Sequence, residues 1–197
     1  MDELTQMYGR LNLAVEHIES CRQFTQLIPE VRSNIVYSKP NPETVEDVLA
    51  VDGRITEVNG TPYAAGKLVF GSSSHMARLI LEVRKKNPEI RAGINFANNP
   101  RITVFLREYC EKKGWVFSVM DRSDEPDEFK EVEGASMPWK VGKAIEAAAG
   151  RVPKVFYETG AVGKEPVSVI IGEDPLEVAE EVCVIAKKYC EWEDEDR

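Results

Sequence analysis

KLVFGSSSHMARLILEVRKK, residues 67–86, changes its period halfway along. Lys67–Phe70 is a short apolar run that reads as a strand. Gly71–Ser74 is a turn of small residues. From Ser74 to about Lys86 the apolar residues Met76, Leu79, Ile80 and Val83 recur at helical spacing, and Ser73 or Ser74 suits the N-cap. A strand that runs straight into a helix is a building unit of a layered α/β domain.

The same alternation extends downstream. IRAGINF (90–96) reads as a strand. Pro100–Lys113 reads as a helix with Ile102, Phe105, Leu106 and Tyr109 inward and Gly114 as its cap. WVFSVM (115–120) is a strand and 138–149 a helix closed by Gly150. KVFYE (154–158) and VSVII (167–171) are strands, and 175–192 is a final helix with Leu176, Ala179, Val182, Ala186 and Tyr189 aligned. Upstream, Leu4, Met7, Leu11, Ala14, Ile18 and Cys21 step by three and four, predicting one helix over about 3–26 that ends before Pro29. SNIVYS carries a strand at 34–37, ETVEDV a short helix, and LAVDGRITEVNG a strand pair or a strand and turn, with Asn59-Gly60 as the turn signal. The expected architecture is one layered α/β domain over 1–197, with helix 3–26 packed on it and an acidic tail at about 191–197.

The bulk numbers narrow the function classes. The chain has 197 residues, 43% hydrophobic and 30% charged, with a formal net charge of −9. That balance belongs to an ordinary globular protein, and the acidic total argues against nucleic acid as a partner. There is no apolar run of membrane-spanning length and no basic, apolar leader, so no membrane partner and a cytoplasmic location are expected. Cys21, Cys110, Cys183 and Cys190 form no CxxC pair and read as free thiols. With only His17 and His75 present, a three-histidine zinc site is impossible.

Four places carry polar chemistry. The Ser72–Ser74 hydroxyls and the first amides of the following helix form a natural phosphate seat. His75 stands at that helix's start, where the helix field favours a neutral ring. Arg54 follows Asp52-Gly53, and its alternatives are a bidentate phosphate contact or an ion pair with Asp52 or a nearby glutamate. ETGAVGKEP (158–166) offers Lys164 as a point charge and Glu158 and Glu165 as magnesium ligands; it lacks the ending of a P-loop. The acidic stretch 121–133 is long enough either to cover a site or to be a solvated surface loop.

Together the stretches LIPEVRSNIVYS, EDVLAVDGRI, FGSSSHMAR, NPEIRAGINF, MDRSDEP, EGASMPW and ETGAVGKEP resemble, in order, the archaeal-type thiamine-phosphate synthase domain, often fused behind a hydroxymethylpyrimidine phosphate kinase. The likeness runs from about Gln26 to Val182. It implies a three-layer α/β/α domain with a mixed sheet, similar to class II sugar-phosphate aldolases. It also implies the coupling of hydroxymethylpyrimidine diphosphate to a thiazole phosphate with release of diphosphate. The family's activity-linked arginine and histidine fall on Arg54 and His75. Asn34, Asn95, Arg122 and Lys164 are expected to join Ser72, Ser73 and Ser74 in binding phosphorylated substrates. Asp121, Glu133, Glu158 and Glu165 are expected around magnesium. A homodimer and a separate pyrimidine phosphate kinase are compatible partners. One departure stands out: after the asparagine of the GINF motif, where relatives often carry a basic residue, this chain reads FANNP, with no base until Arg101.

Two other classes compete. A related domain that only senses thiamine phosphate would bind without turnover, and retention of Arg54 and His75 weighs against it. A sugar-phosphate aldolase would need the histidine cluster that is missing.

Overall fold

The computed structural model describes residues 2–130, 132, 134–161 and 163–195. Helix α1 (Glu3–Glu19) starts at an Asp2 N-cap whose carboxylate accepts the Thr5 amide at 3.1 Å. It buries Met7, Leu11, Ala14, Val15 and Ile18. Leu4, expected on that stripe, is 47% exposed in the helix's first turn. The helix is also shorter than the spacing predicts. It ends at Ser20, and a separate 3-10 turn over Arg22–Leu27 sends Phe24 and Leu27 inward. The apolar stripe survives this break because both pieces face one core.

The strands follow as β1 (Ile35–Ser38), β2 (Val48–Val51), β3 (Ile55–Val58), β4 (Thr61–Ala64) and β5 (Leu68–Phe70). The ETVEDV segment is a 3-10 turn at Val45–Asp47 held by a Thr44–Asp47 capping box. Next come α2 (Ser74–Arg84), β6 (Ala92–Ala97), α3 (Pro100–Lys113) and β7 (Phe117–Met120). Then come α4 (Asp127–Lys130), α5 (Met137–Ala147), β8 (Val155–Glu158), β9 (Val167–Gly172) and α6 (Pro175–Glu195). Gly114 ends α3 in the left-handed region, as expected of a helix cap. The expected acidic tail is helix as far as Glu195 among the described residues, with Trp192 stacked 6.1 Å from Tyr189 and tilted against Phe105. Along α6, Val178, Cys183 and Ile185 are buried with the predicted stripe, whereas Leu176 is only half-buried.

Seven strands form one sheet in the order β5-β2-β1-β6-β9-β8-β7, and β3 and β4 make a separate hairpin turning at Asn59-Gly60. Every neighbouring pair in the sheet is antiparallel except β7 with β8. Side chains alternate between two cores. Ile35, Leu49, Ile94, Phe96 and Ile170 pack with α1, α3 and α6. Val36, Ala50, Phe156, Val169 and Ile171 pack with α2 and α5 on the other face. This is a three-layer α/β/α domain with a mixed sheet. Each fully buried Leu, Ile or Phe contributes about 1.5–3 kcal/mol. At Gly93 the sheet thins: a Cβ there would stand 3.2 Å from Ile80 of α2 and 3.2 Å from the Ile170 carbonyl, so α2 sits unusually close. All four cysteines are free, three of them buried. Among the described residues no helix is long and apolar enough to cross a membrane.

Candidate active site

The strand register gathers the site. Val36 faces Ala50, Ile35 faces Ile94, Ala97 faces Val167, Glu158 faces Val167, and Met120 lies beside Glu158. The starts of β1 and β9 therefore share one edge of the domain with the ends of β2, β6, β7 and β8. A cavity of about 410 Å³ opens at that edge. The first turn of α2 and the N-terminal half of α5 close it from the helical side.

The walls are strongly cationic. Among the described residues, Arg32, Arg54, Arg78, Arg122, Lys140 and Lys164 line the cavity, against two carboxylates, Glu158 and Glu165. The floor is a buried ion network. Glu158 Oε1 accepts from Lys140 Nζ at 2.6 Å and from Arg122 Nη1 at 2.9 Å. Arg122 also donates through Nε to Glu125 at 2.8 Å. Glu158, Arg122, Lys140 and Glu125 are all buried. Glu158 Oε2 lies 3.6 Å from His75 Nε2. About half of the His75 side chain still faces the open cavity, 48% by surface. Enclosure by the walls holds its pKa below the ordinary histidine value; Glu158 opposes that, and Lys140, Arg122 and Arg54 reinforce it. That direction favours the expected neutral ring, with desolvation rather than the helix field leading the effect.

Arg54 and His75 thus share one cavity, together with Ser72, Ser73 and Ser74. Among the described residues Arg54 makes no bond to Asp52 or a glutamate; its Nη1 donates to the Val31 carbonyl. Lys164 and Arg122 line the same space, the former exposed and the latter buried. Ser73 is the N-cap by position, but its side chain makes no capping bond, and the Ser72 hydroxyl donates to the Val69 carbonyl at 2.9 Å. Asn34 and Asn95 are also on the wall, yet their amides serve the fold. Asn34 exchanges bonds with Val51 N and O, and Asn95 holds Asn34 N at 2.7 Å and the Arg32 carbonyl at 2.9 Å. They shape the cavity by pinning β1 to β2 and to the Arg32 turn, which leaves little of either amide for a phosphate.

The expected magnesium set does not fit a protein-held ion. Glu158 Oε1 is saturated by two cations. Glu165 accepts the Glu30 and Val31 amides at 3.2 and 2.6 Å. Asp121 is exposed, off the cavity, and accepts the Ser123 amide at 2.8 Å. Glu133 lies outside the described residues. No cluster of three histidine, cysteine or acidic side chains suited to a metal occurs among the described residues.

A family described as "Thiamine-phosphate synthase ThiN" matches residues 10–184. The chain belongs to this family. A ThiN thiamine-phosphate synthase from Methanothermobacter thermautotrophicus is 44% identical over 89% of this chain and 90% of its own length. The bifunctional thiamine biosynthesis protein ThiDN of Methanocaldococcus jannaschii is 38% identical over 83% of this chain, which spans 37% of that longer protein. The solved C-terminal domain of a phosphomethylpyrimidine kinase superposes with a TM-score of 0.87 at 37% identity, covering 93% of this chain and 100% of that domain. An L-fuculose-1-phosphate aldolase from Thermus thermophilus superposes at 0.53 and 15% identity, over 97% of this chain and 96% of that one, a likeness of fold alone.

Among the ThiN motifs, EGASMPW now has a structural account. Gly134 lies in the left-handed region at φ 77°, and a Cβ there would stand 2.5 Å from Arg78 Nε, so the bare glycine leaves room for that guanidinium at the cavity wall. Sequence reasoning missed Arg78, Arg32 and Lys140. Lys140 had a readable signal: it sits three residues after Met137 and directly before Val141 on the buried face of α5, where a lysine is out of place unless paired. The ANNP departure also resolves locally. Asn99 caps α3 by accepting the Ile102 amide, and Asn98 bridges Ser168 and Thr103. The cavity's cations come from other segments.

Proposed function

We propose that this chain is a transferase that joins hydroxymethylpyrimidine diphosphate to a thiazole phosphate, releasing diphosphate and forming thiamine phosphate. The observation that carries this reading is the single cationic cavity holding both Arg54 and His75 in an otherwise acidic ThiN-family molecule. The chemistry needs little covalent help. The carbon–oxygen bond of the pyrimidine methylene breaks, and its electron pair leaves with diphosphate. The methylene cation is stabilised by the electron-rich ring, and the thiazole nitrogen lone pair then forms the new carbon–nitrogen bond. The protein's task is to hold charge and to place the nitrogen.

Each wall has a part in this reading. Arg54 meets the departing diphosphate, with Arg32 and Lys164 beside it on the same rim. The Ser72–Ser74 turn and the first amides of α2 seat a phosphate. His75, neutral, donates to a leaving or phosphate oxygen. Magnesium, in this reading, arrives as the counter-ion of diphosphate, since the protein's own carboxylates are already engaged. A kinase-linked setting is supported by the solved domain that forms the C-terminal part of a phosphomethylpyrimidine kinase. Docking of a separate kinase, a homodimer and a cytoplasmic setting remain part of the proposal.

The test is direct. The purified chain incubated with both substrates and magnesium should release diphosphate and form thiamine phosphate in equal amounts. Binding of thiamine phosphate without any turnover would make it a sensor domain instead.

A further inference from the structure

The cavity is rich in hydrogen-bond donors and poor in open acceptors. Of the two carboxylates among its described lining residues, Glu165 spends both oxygens on the Glu30 and Val31 amides. Glu158 spends Oε1 on Lys140 and Arg122. Asn34 Oδ1 and Asn95 Oδ1 are taken by Val51 N and Asn34 N. Glu158 Oε2 is different. It receives no hydrogen bond among the described residues, and its neighbour His75 Nε2, at 3.6 Å, is beyond bonding reach. The residue is 94% buried, so this oxygen has the cavity itself as its outlet. Two short ionic bonds to Oε1 fix the carboxylate in place, which leaves Oε2 fixed and open.

We infer that Glu158 Oε2 is the specificity contact for the exocyclic amine of the pyrimidine substrate. The inference rests on the transferase reading above. The pyrimidine of the diphosphate substrate carries one N–H₂ donor group, and the guanidinium and ammonium groups that dominate the walls cannot accept from it. A fixed carboxylate oxygen is the complementary partner, and a hydrogen bond to a charged acceptor is stronger than a neutral one. The same contact aids the chemistry. The amine is conjugated through the ring with the methylene that loses diphosphate, so an anion accepting from its N–H pushes electron density toward the forming cation. Glu158 thereby changes from an expected magnesium ligand to a reader of the base. Its Lys140 and Arg122 partners are positioning residues that act through it.

The experiment compares two ligands on two proteins. The ligands are a phosphonate analogue of the pyrimidine diphosphate, with CH2 in place of the oxygen of the breaking carbon–oxygen bond, and its counterpart with hydrogen in place of the amine. Wild type should bind the amino form tighter by about ten- to a hundredfold, the range of a hydrogen bond to a charged group. Glu158→Gln should lose most of that preference, and the double variant Glu158→Gln/Lys140→Met, which removes one buried cation together with the anion, should lose it too. Equal loss of affinity for both ligands, with the preference intact in either variant, would show that Glu158 only anchors its two cations and would overturn the inference. A wild-type protein that binds both forms equally would overturn it as well. A wild-type protein that binds neither would instead count against the transferase reading itself.

Discussion

Arg54 and Arg32 both hold left-handed backbones, at φ 69° and 73°, on either side of an isolated Ser33–Ile55 bridge. Such a conformation costs a non-glycine residue about 1–3 kcal/mol, and it persists here because the bridge, the Asn95 bond to the Arg32 carbonyl and the Arg54 bond to Val31 over-determine it. Both residues line the cavity, so the strain is stored where the cations are displayed. Replacing Arg54 by alanine should lower kcat/KM by about two to three orders of magnitude, the usual cost of a lost donor to developing charge. The exposed side chain holds little of the core, so the melting temperature should barely move. Turnover within about fivefold of wild type in a steady-state assay would remove Arg54 from the mechanism. At this scale the sequence spoke clearly where a residue stands in a motif, as Arg54 and His75 do. It was silent on Arg32, whose backbone angle no pattern encodes, and on the main-chain duties of Asn34 and Asn95, which depend on partners 17 and 61 residues away.

Local elements were readable wherever their signals lie within a few residues. Pro100, Lys113 and Gly114 bound α3 as expected, and the Asn59-Gly60 hairpin forms where the turn chemistry puts it. The α1 break at Ser20 was invisible because the apolar stripe continues across it into the 3-10 turn. The small turn at Val45–Asp47 offers a test. Lys39 bonding, with the Glu43 and Thr44 amides, holds the Asp47 carboxyl down at about 2. A depressed acid stabilises the fold fully above its unfolded pKa, and that contribution is lost as pH falls through the folded value. Asp47 should therefore stabilise above about pH 4 and lose its effect between about pH 4 and pH 2. Asp47→Asn should cost about 0.5–2 kcal/mol at neutral pH, the range of a lost cap. It should also flatten the stability curve across that acid window. Chemical denaturation from pH 2 to 7 measures both, and an unchanged acid slope would contradict the assignment.

Across the whole molecule, the alternation of strands and helices was legible, but the order of the strands was not. Pairing is decided by long-range register: β1 sits between β2 and β6, and β6 lies beside β9, more than 60 residues downstream. The resemblance supplied the mixed, three-layer sheet that local periodicity could not. The net charge of −9 likewise hides a cavity lined, among the described residues, by six cations and two carboxylates. Holding those cations together is unfavourable until an anion arrives, so ligand binding should stabilise the entire fold. Inorganic diphosphate at about a hundred times its dissociation constant should add about 2.7 kcal/mol, a rise of about 5–10 °C in melting temperature. The Arg54→Ala variant should show a much smaller rise. An equal shift in both proteins, measured by calorimetry, would place the anion elsewhere.

The edge where strand starts and strand ends meet has an evolutionary consequence. Because the chain enters and leaves the sheet there by turns, the contributions of Arg32, Arg54, Arg122 and Lys164 come from separate connecting segments, each anchored by a different strand. Natural selection can therefore rewrite one rim segment at a time while the two apolar layers stay intact, and a lineage can change the reaction it hosts without refolding.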